Sequence, residues 1–488
     1  MEPLGTITAY FPFLDEETKS ILQNIMEKSY DYYDFVKTLK ELVLDTDSSD
    51  LVVYFAIHHA AQLFDLKAIN EIGKKYSESP ILLPNLFFAS AVQGHVEDFE
   101  NVRKAADDVL EMNPDDWLAI EMLFMKFEAD MMRYPEIMYD TSNLDRIIDM
   151  IERNSEFGFY ETTLYAYLSL RADFDGDTED RIRCNNRAIQ CARDNNDKIR
   201  LIHLLTRRAE IFESEDREKA REFLIEAGEI AEAMGTRVGH AAVLEQIGRL
   251  EITRGEYNSA IDHFLEAVSI RETMRMDNGT NSLWLSTLYN IVGEYESGLE
   301  WGKMTEDQFK HRPQLQHRAI LNQVWSLLQM GKMTEAQVLL DTTRETILKS
   351  GQEASLAWLH FVTGLLESLE GDLTSAFSSI EEGLKIYEKR SGTLMMQVIF
   401  LYHLAQIEIS SSEISTSVYP TLALLEDRAT SEVLPGISGQ VLVLKAEVAL
   451  LQNDDATLRD CIKQLRPLTE TSSMEFLVPY YDGLIKRV

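Results

Sequence analysis

Leu244-Glu-Gln-Ile-Gly248-Arg-Leu-Glu-Ile-Thr-Arg-Gly255-Glu-Tyr-Asn-Ser-Ala260-Ile-Asp-His-Phe-Leu-Glu-Ala267 is the stretch that decides the fold of this chain. The pattern predicts a helix, a tight turn at Gly255 and a second helix. Small residues stand at Gly248, Ala260 and Ala267, where the two helices must touch. Because such a pair cannot cover its apolar face alone, it is stable only when similar units stack beside it.

Similar patterns of a turn followed by small residues recur along most of the chain. The turns fall at Gly94, Gly176, Glu215, Gly255, Gly293, Gly331 and Gly371, with fainter ones near Ser411 and Asn453. From Glu215 onward the intervals between turns are 40, 38, 38, 40, 40 and 42 residues. A regular period near 40 indicates an array of two-helix repeats.

The repeated unit resembles the tetratricopeptide repeat (TPR) superfamily. Residues 244–267 match its pattern best, with an apolar-Gly pair and then Ala260 followed four positions later by Phe264. The unit departs from the pattern at Glu251, where the family usually has Tyr. The period also exceeds the 34 residues of the standard repeat, and is similar to the longer units of MalT-type regulators or kinesin light chains. The resemblance covers roughly residues 50–470.

The resemblance implies an all-α fold, a right-handed α-α superhelix (a TPR-like α-solenoid) of about eleven antiparallel helix pairs. We expect an N-terminal helical cap over 1–50, a continuous array over 51–470 and a C-terminal capping helix over 471–488. One unit, about 115–155, is expected to be irregular because Pro135 cannot lie inside a regular helix without cost.

Apolar residues follow a helical period in several segments. They form a nearly continuous run over Leu51–Phe64, which is typical of an inner helix that is buried on several sides. In another segment they recur at spacings of three and four, at Leu321, Val324, Trp325 and Leu328. No segment alternates convincingly with a period of two, so the pattern predicts an almost wholly helical chain.

The formal net charge of −35 bears on the partners of this chain. Phosphate binding needs a basic surface, so the charge argues against nucleic acid and equally against anionic membranes. Basic protein surfaces or peptides are favoured through electrostatic steering; the alternative is that acidity only keeps a long array in solution. Since no apolar run approaches the ~18 residues of a membrane span and no signal peptide is apparent, we expect a cytoplasmic protein.

Catalytic motifs are lacking in the sequence. Gly302-Lys303-Met304 and Gly331-Lys332-Met333 approach a phosphate-binding loop, but lack its hydroxyl residue and its first glycine. There is no His-Glu-x-x-His, no dinucleotide fingerprint and no Gly-x-Ser-x-Gly. We therefore predict no enzyme, no catalytic residue and no cofactor.

Candidate metal ligands have simpler interpretations. The acidic run Asp173–Asp180 resembles a calcium loop superficially, but Thr178 and Cys184 stand where that loop needs Gly and a bidentate Glu. A turn that caps the following helix explains the run better. The pair at His58 and His59 fits core packing, and so do Cys184 and Cys191, which are favoured as core residues over a redox or metal pair. With Cys461 there are three cysteines, which is too few for a disulfide framework. We predict no metal site.

A binding surface is the better expectation. In TPR-like arrays the first helix of each pair lines the concave groove, and the resemblance then makes these residues the groove candidates: Gln246, Arg249, Arg318, Asn322, Trp325, Tyr402 and Gln406, with Arg208 as a further one. Their mixture of cations, amides and aromatics is typical of interaction hot spots. An Arg in the groove can bind a carboxylate bidentately or can neutralise acidic neighbours in the array, and the sequence leaves both open.

Two further clusters carry two interpretations each. Methionines crowd the irregular unit at Met122, Met125, Met131, Met132 and Met138, as gap fillers of a distorted core or as an adaptable contact surface. Aromatics crowd the N-terminal region at Tyr10, Phe11, Phe13, Tyr30, Tyr32, Tyr33 and Phe35. They form either a cap over the first repeat or a surface through which the chain forms a homo-oligomer.

Together these observations predict a non-enzymatic scaffold or adaptor. It would bind a peptide or helix of a partner protein in the concave groove. The alternative is a regulatory receptor arm that senses a small ligand or a signalling peptide and passes the signal to a separate effector chain. An enzyme with a site composed from distant repeats is a third, weaker alternative.

Overall fold

The structure is a computed structural model of the 488-residue chain. It describes residues 5–29, 32–62, 65–92, 98–133, 142–212, 216–274, 278, 280–310, 313–388, 394–411, 420–431 and 434–487. Within these ranges every regular element is a helix and no strand occurs. The prediction of an all-α fold is confirmed.

The α-helices are numbered here in chain order. They are α1 Gly5–Thr8, α2 Glu16–Lys28, α3 Tyr32–Asp45, α4 Asp50–Gln62, α5 Leu66–Tyr76, α6 Leu83–Val92, α7 Asp98–Glu111, α8 Asp116–Arg133, α9 Ser142–Arg153, α10 Glu161–Asp175, α11 Thr178–Asp194, α12 Lys198–Phe212, α13 Arg217–Met234, α14 Arg237–Arg254, α15 Tyr257–Thr273, α16 Asn281–Val292, α17 Tyr295–Gln308, α18 Pro313–Gln329, α19 Met333–Ser350, α20 Glu353–Leu369, α21 Leu373–Glu388, α22 Leu394–Ser410, α23 Pro420–Ser431, α24 Pro435–Gln452, α25 Asp455–Thr469 and α26 Val478–Ile485. Short 3-10 helices lie at Phe11–Phe13, Ser155–Tyr160 and Ser472–Leu477.

Consecutive helices pack as pairs. In the described part of the chain the pairs run from α4/α5 through α24/α25, which makes eleven. The α14/α15 pair, which contains residues 244–267, is joined by the contact of Gly248 with the Phe264 ring. The predicted TPR-like fold of about eleven helix pairs is confirmed by this pairing.

The turns inside the pairs adopt the left-handed backbone conformation, which favours Gly and Asn because a Cβ atom is strained there. Positive φ angles of 56° to 90° occur at Gly176, Gly255, Gly293, Gly331, Gly371 and Asn453. All six are turn positions predicted from the repeat pattern. Two other predicted turns, at Gly94 and Glu215, lie outside the described residues.

Small residues allow the paired helices to approach closely. A Cβ atom added at Gly248 would lie 3.1 Å from the Phe264 ring. One added at Gly364 in α20 would lie 2.8 Å from the carbonyl oxygen of Ala376 in α21. The predicted role of small residues at the helix contacts is therefore confirmed in these two pairs.

Acidic residues between helices act as N-caps. The Asp177 carboxylate accepts a hydrogen bond from the Asp180 backbone N–H, 2.9 Å away, at the start of α11. Asp216 and Asp454 cap α13 and α25 in the same way. A carboxylate at this position satisfies an N–H that has no partner within the helix. The predicted cap in the acidic run 173–180 is confirmed.

The chain divides into two compact units. Unit 1 comprises Met1–Val243 with Ser269–Asp277, and unit 2 comprises Leu244–Val268 with Asn278–Val488. Each has a hydrophobic core of its own. The division into an N-terminal cap over 1–50, a continuous array over 51–470 and a capping helix over 471–488 stays a prediction.

Several residues singled out in the sequence lie in these cores. The thiols of Cys184 and Cys191 are free and buried, as predicted for core residues, and the Cys461 thiol is also free and buried. Met122 and Met125 are buried in the core of unit 1, which fits their interpretation as packing residues. The structure does not describe the side chains of Met131, Met132, Tyr32 and Tyr33 or any part of Tyr30, Pro135 and Met138.

Candidate functional site

The first helices of successive pairs pack directly against one another in unit 2. Helix α16 contacts α18, α18 contacts α20, and α22 contacts α24. Side chains of α18 also reach α22, two pairs further along, as in the contact between Trp325 and His403. Such a contact is possible only on the side where the first helices converge. We call the surface shared by α16, α18, α20, α22 and α24 the inner face of unit 2.

The apolar stripe of α18 anchors this surface. Its members are the residues predicted from their spacing, and all are buried: Leu321, Val324, Trp325 and Leu328. The Trp325 ring lies 5.9 Å from that of Trp358 in α20 and 5.8 Å from that of His403 in α22. The helical period predicted for this segment is confirmed, and the aromatic contacts fix the orientation of α18.

The last helices of unit 2 return to its first pair. The backbone of Gly436 at the start of α24 touches Gly255 so closely that a Cβ atom on Gly436 would overlap the Gly255 carbonyl. Further along, the Phe476 N–H donates to Asn258 Oδ1 at 3.0 Å, and its ring lies 5.0 Å from that of Tyr257. These contacts enclose the inner face within unit 2.

A small pocket remains where the inner face is enclosed. Its volume is about 90 Å³, and it is lined by Tyr257, Asn290, Ile291, Tyr295, Trp325, Gln329, Val398, Ile399, Tyr402, His403, Gln406, Gln440 and Tyr480. The lining comes from helices at both ends of unit 2 as well as from its middle. The pocket therefore exists only because the chain returns to its first pair.

The pocket is electrically neutral in a protein of net charge −35. Among the described residues, no Asp, Glu, Lys or Arg lines it. Burial lowers the pKa of His403 to about 4, so this imidazole is uncharged near neutral pH. Burial also raises the pKa of Tyr402, and the neighbouring Tyr480 and Glu447 raise it further. The site therefore offers amide, phenol and imidazole groups in their uncharged forms.

Gln440 provides an unsatisfied acceptor in this pocket. Its residue is 8% exposed, and its Oε1 atom has no hydrogen-bond partner among the described residues. A buried polar atom without a partner costs free energy. A donor that reached Gln440 Oε1 would remove this cost, which requires a movement of the side chain because the atom itself is buried.

Arg318 lies on the same helix as Trp325, seven residues earlier. Its guanidinium carbon lies 4.1 Å from the centre of the Trp358 ring, and one of its nitrogens donates to Met396 Sδ at 3.3 Å. Within the described ranges it forms no ion pair with a carboxylate, and its Nε lacks a hydrogen-bond partner. Burial lowers the pKa of Arg318 to about 10, so it stays charged at neutral pH.

The seven predicted groove residues are divided by the structure. Trp325, Tyr402 and Gln406 line the same pocket. Arg318 lies on the face of α18 that carries Trp325, about two turns earlier. The structure thus brings four of the seven onto the inner face of unit 2.

Asn322 lies between helices instead of facing the pocket. It is fully buried, and its side-chain amide donates to Thr287 Oγ1 at 2.9 Å. The nearby Ser326 hydroxyl donates to Asn290 Oδ1 at 2.7 Å, and the Asn290 amide donates to the Asn322 carbonyl at 3.0 Å. This network joins α16 to α18 and satisfies the Asn322 amide nitrogen, whereas Asn322 Oδ1 has no hydrogen-bond partner among the described residues.

The other predicted residues lie elsewhere. Gln246 and Arg249 are half-buried on α14 and do not line the pocket. Arg208 belongs to unit 1, where its guanidinium carbon lies 4.7 Å from the centre of the Phe212 ring. A role of Gln246 and Arg249 in binding stays a prediction.

Some pocket residues were missed from the sequence. Gln329 lies one turn beyond Trp325, and His403 is next to Tyr402, so the same register reasoning could have found both. Tyr480 and Gln440 carry no such signal, because they reach the pocket only through the return of the last helices to the first pair.

A second cavity, of about 170 Å³, lies between α10, α11 and α12 in unit 1. Its two arginines are both paired with carboxylates: Arg181 with Asp173 at 2.8 Å, and Arg207 with Glu210 at 2.8 Å. The Ser169 hydroxyl in turn donates to the Arg181 carbonyl at 2.9 Å. Asn185 Oδ1 in its lining has no hydrogen-bond partner among the described residues. Because both lining arginines already have acidic partners, we rank this cavity second as a binding site.

Neither a metal site nor a membrane span is found in the part of the chain that the structure describes. No three His, Cys, Asp or Glu side chains are grouped so that they could hold a metal ion. None of the described helices has the length and apolar character needed to cross a bilayer.

Comparisons with known proteins give similarities of fold alone. No protein-family model matches the chain, and neither does any curated protein sequence. Among solved structures, a Rap protein complexed with competence and sporulation factor is similar at a TM-score of 0.49 and 12% identity, over 67% of this chain and 98% of the other. Human IFIT1 with m7Gppp-AAAA is similar at 0.39 and 16%, over 78% and 93%. The TPR domain of P58(IPK) is similar at 0.24 and 11%, over 82% and 99%.

Proposed function

We propose that this protein is a non-enzymatic interaction scaffold that binds a short peptide segment of a partner protein on the inner face of unit 2. The observation that carries the proposal is the convergence of Trp325, Tyr402 and Gln406 on one neutral pocket with the unsatisfied Gln440 Oε1. Aromatic and amide side chains that meet in a concave site are typical of recognition surfaces.

The chemistry of the site suggests which peptide it takes. Gln440 Oε1 accepts a hydrogen bond from an N–H, which a peptide group or an amide side chain supplies. Arg318 takes a carboxylate, because a guanidinium without an acidic partner gains most from one. Arg318 and Trp325 are seven residues apart, or about 10 Å along a helix, which equals about three residues of extended peptide.

The size of the pocket narrows the ligand further. A helix with its side chains is about 10 Å wide, and a pocket of about 90 Å³ cannot hold one. One uncharged side chain of an extended segment is the better fit. The net charge of −35 favours a partner whose remaining surface is basic, since long-range attraction raises the rate of encounter.

A regulatory receptor is the second candidate function. The observation that favours it is the pair of contacts that enclose the pocket, between Gly255 and Gly436 and between Asn258 and Phe476. A small ligand or signalling peptide that binds only the enclosed form would stabilise that form. Its signal would pass to a separate effector chain.

A displayed library of random peptides tests the first candidate. Peptides enriched on the wild-type protein are measured by fluorescence anisotropy against Arg318→Met, Gln440→Leu and the matched control Gln464→Leu, which alters an exposed glutamine on α25. We expect a loss of affinity of about tenfold or more for Arg318→Met and for Gln440→Leu, because each removes a hydrogen bond to the peptide. The control should bind like the wild type.

Two outcomes would redirect the proposal. If the enriched peptides bind both pocket variants as well as the wild type, the binding surface lies elsewhere on the chain. If no peptide is enriched but a small molecule raises the thermal stability of the wild type and not of Gln440→Leu, the receptor function replaces the scaffold function.

A further inference from the structure

The first described residues form an arm that is distinct from the helix pairs. This N-terminal arm, Gly5–Leu14, contains the short helix α1 and the 3-10 helix Phe11–Phe13. It ends at Leu14, because Asp15 caps the next helix by accepting from the Thr18 N–H at 2.8 Å. The arm is therefore a short segment with a defined boundary to α2.

Tyr10 of this arm lies in a set of aromatic rings. We call the set the aromatic box; its members are Phe55, His58, Trp117, Phe159 and Tyr160, whose ring centres lie 5.0 to 6.3 Å from that of Tyr10. The planes of all five rings are steeply inclined to the plane of the Tyr10 ring, so that each pair has an edge-to-face arrangement. Edge-to-face contacts of this kind are favourable for aromatic pairs.

The Tyr10 hydroxyl is next to the buried carboxyl group of Glu121. The hydroxyl donates to Glu121 Oε1 at 2.5 Å, and Glu121 is 8% exposed. On the other side of this carboxyl group, His58 Nδ1 lies 4.0 Å from Oε2. Burial lowers the pKa of His58 to about 3, so this imidazole carries no charge that could neutralise Glu121. The Tyr10 hydroxyl is thus matched to a strong buried acceptor.

Other residues hold the arm on either side of Tyr10. Ile7 and Leu14 are buried, and the Phe13 ring packs 4.9 Å from that of Phe157. The arm thus makes a series of side-chain contacts, as a bound peptide does in a groove.

The aromatic box is complete without the arm. Its members come from α4, α8 and the 3-10 helix Ser155–Tyr160, and none comes from the arm itself. Helices α4 and α8 are the first helices of two pairs that have one other pair between them. Because the Tyr10 ring contacts residues of both helices, it lies on the side of unit 1 where the first helices converge. A peptide on this side occupies the position that the sequence analysis assigned to a partner.

We propose that the aromatic box with Glu121 is a binding site for a tyrosine-containing peptide segment, and that the N-terminal arm is its intramolecular occupant, which a partner's segment displaces. The proposal concerns unit 1 and does not rest on the pocket of unit 2. It narrows the ligand to a peptide whose tyrosine is not phosphorylated, since a phosphate would meet the Glu121 carboxylate.

Tyrosine is selected over phenylalanine by the buried acceptor. A phenylalanine fills the aromatic box but leaves Glu121 Oε1 without the Tyr10 donor. A site that binds a hydroxyl group disfavours an analogue that lacks it, because one buried hydrogen bond is lost even though Tyr54 and Tyr160 also interact with Glu121.

The tethered arm also determines when a partner can bind. The arm is tethered to the protein and competes with a free peptide for the aromatic box. A segment on a short linker does so at an effective concentration of the order of millimolar. A free peptide therefore binds the wild-type chain weakly, and binds strongly only when Tyr10 is removed from the box.

The experiment uses a labelled peptide with the sequence of residues 1–15 and full-length protein. We expect the peptide to bind the Tyr10→Ala protein at least tenfold more tightly than the wild type, as measured by fluorescence anisotropy. The same peptide carrying Tyr10→Phe should bind the Tyr10→Ala protein about tenfold more weakly, and so should the phosphotyrosine form.

Controls separate the site from general effects. Glu121→Gln added to Tyr10→Ala should weaken the peptide about tenfold, whereas Glu152→Gln, an exposed glutamate on α9, should not change it. If Tyr10→Ala fails to fold by circular dichroism, a protease site inserted between Leu14 and Asp15 replaces it, and the labelled peptide should exchange into the cleaved protein.

The proposal is overturned by either of two results. One is equal affinity of the labelled peptide for the wild-type and the Tyr10→Ala protein, or no exchange into the cleaved protein. The other is equal affinity of the tyrosine and phenylalanine peptides for the opened site.

Discussion

Unit 1 and unit 2 are built from the same kind of helix pair. They differ in what occupies the side where the first helices of the pairs converge. In unit 1 that side holds a buried carboxylate, Glu121, and the chain's own Tyr10 donates to it. In unit 2 it holds a neutral pocket and a cation, Arg318, for which no carboxylate is found among the described residues.

The difference teaches how one fold can leave one site occupied and another available. A buried charge is costly unless a partner satisfies it. Unit 1 supplies that partner from its N-terminal arm, so its site is closed by a segment of the same chain. Among the described residues, unit 2 supplies the Trp358 face and Met396 to Arg318, and the proposed peptide carboxylate would complete this site.

The largest expected effect comes from emptying the site of unit 1. Tyr10→Ala should lower the free energy of unfolding by about 3–5 kcal/mol, because an aromatic ring is lost from a packed site. Hydrogen exchange should quicken in α4 and α8 and stay unchanged in α18 and α22. Equal quickening in both units would contradict the assignment of the arm to unit 1.

The next effect comes from opening unit 2. Gly436→Ala should cost about 1–3 kcal/mol, since its Cβ would overlap the Gly255 backbone. Hydrogen exchange should quicken in α15 and α24, and the peptide site should weaken with it. Gly483→Ala in α26 is the matched control: no atom lies within 4 Å of its added Cβ, so stability should be kept or slightly raised.

A smaller effect distinguishes binding from folding at Arg318. Arg318→Met should leave the free energy of unfolding within about 1 kcal/mol of the wild type. The variant loses a favourable cation–π contact, but it also no longer has to bury a charge, and the two effects oppose each other. Urea unfolding measures this change. A loss above about 3 kcal/mol would make Arg318 a structural residue and remove it from the proposed site.

The smallest effect is a pH dependence in unit 2. His263 Nδ1 lies 2.7 Å from Glu251 Oε2, and this hydrogen bond raises the pKa of His263. Since the folded pKa lies above the unfolded one, the stabilisation is full below about pH 6.5 and is lost as pH rises through the folded pKa.

His263→Gln should therefore cost about 0.5–1 kcal/mol at pH 5.5 and little at pH 9, as measured by urea unfolding. The double variant with Glu251→Gln should lose no more than either single variant. A cost that is the same at both pH values would rule out the charged pair as its source.

The repeat turns were predictable from sequence because their cause is local. Positions such as Gly255, Gly331 and Asn453 need a left-handed backbone, and only a few residue types adopt it without strain. The same local reasoning placed the buried stripe of α18, since a helical period of apolar residues marks the face that packs.

The candidate site was predictable only in part, because its closure is not local. Helical register placed Trp325, Tyr402 and Gln406 on one surface. It could not show that α16 covers Asn322, nor that the last helices would bring Gln440 into the same pocket. Both depend on which distant helix packs against a given face, and no spacing within one segment contains that information.

Hydrogen exchange of the wild-type protein with and without a library-selected peptide tests the central claim most directly. If the inner face of unit 2 binds the peptide, exchange should slow in α18 and α22, which carry Arg318, Trp325, Tyr402 and Gln406, and stay unchanged in α10 and α11. Slowing that leaves α18 and α22 unaffected would contradict the claim.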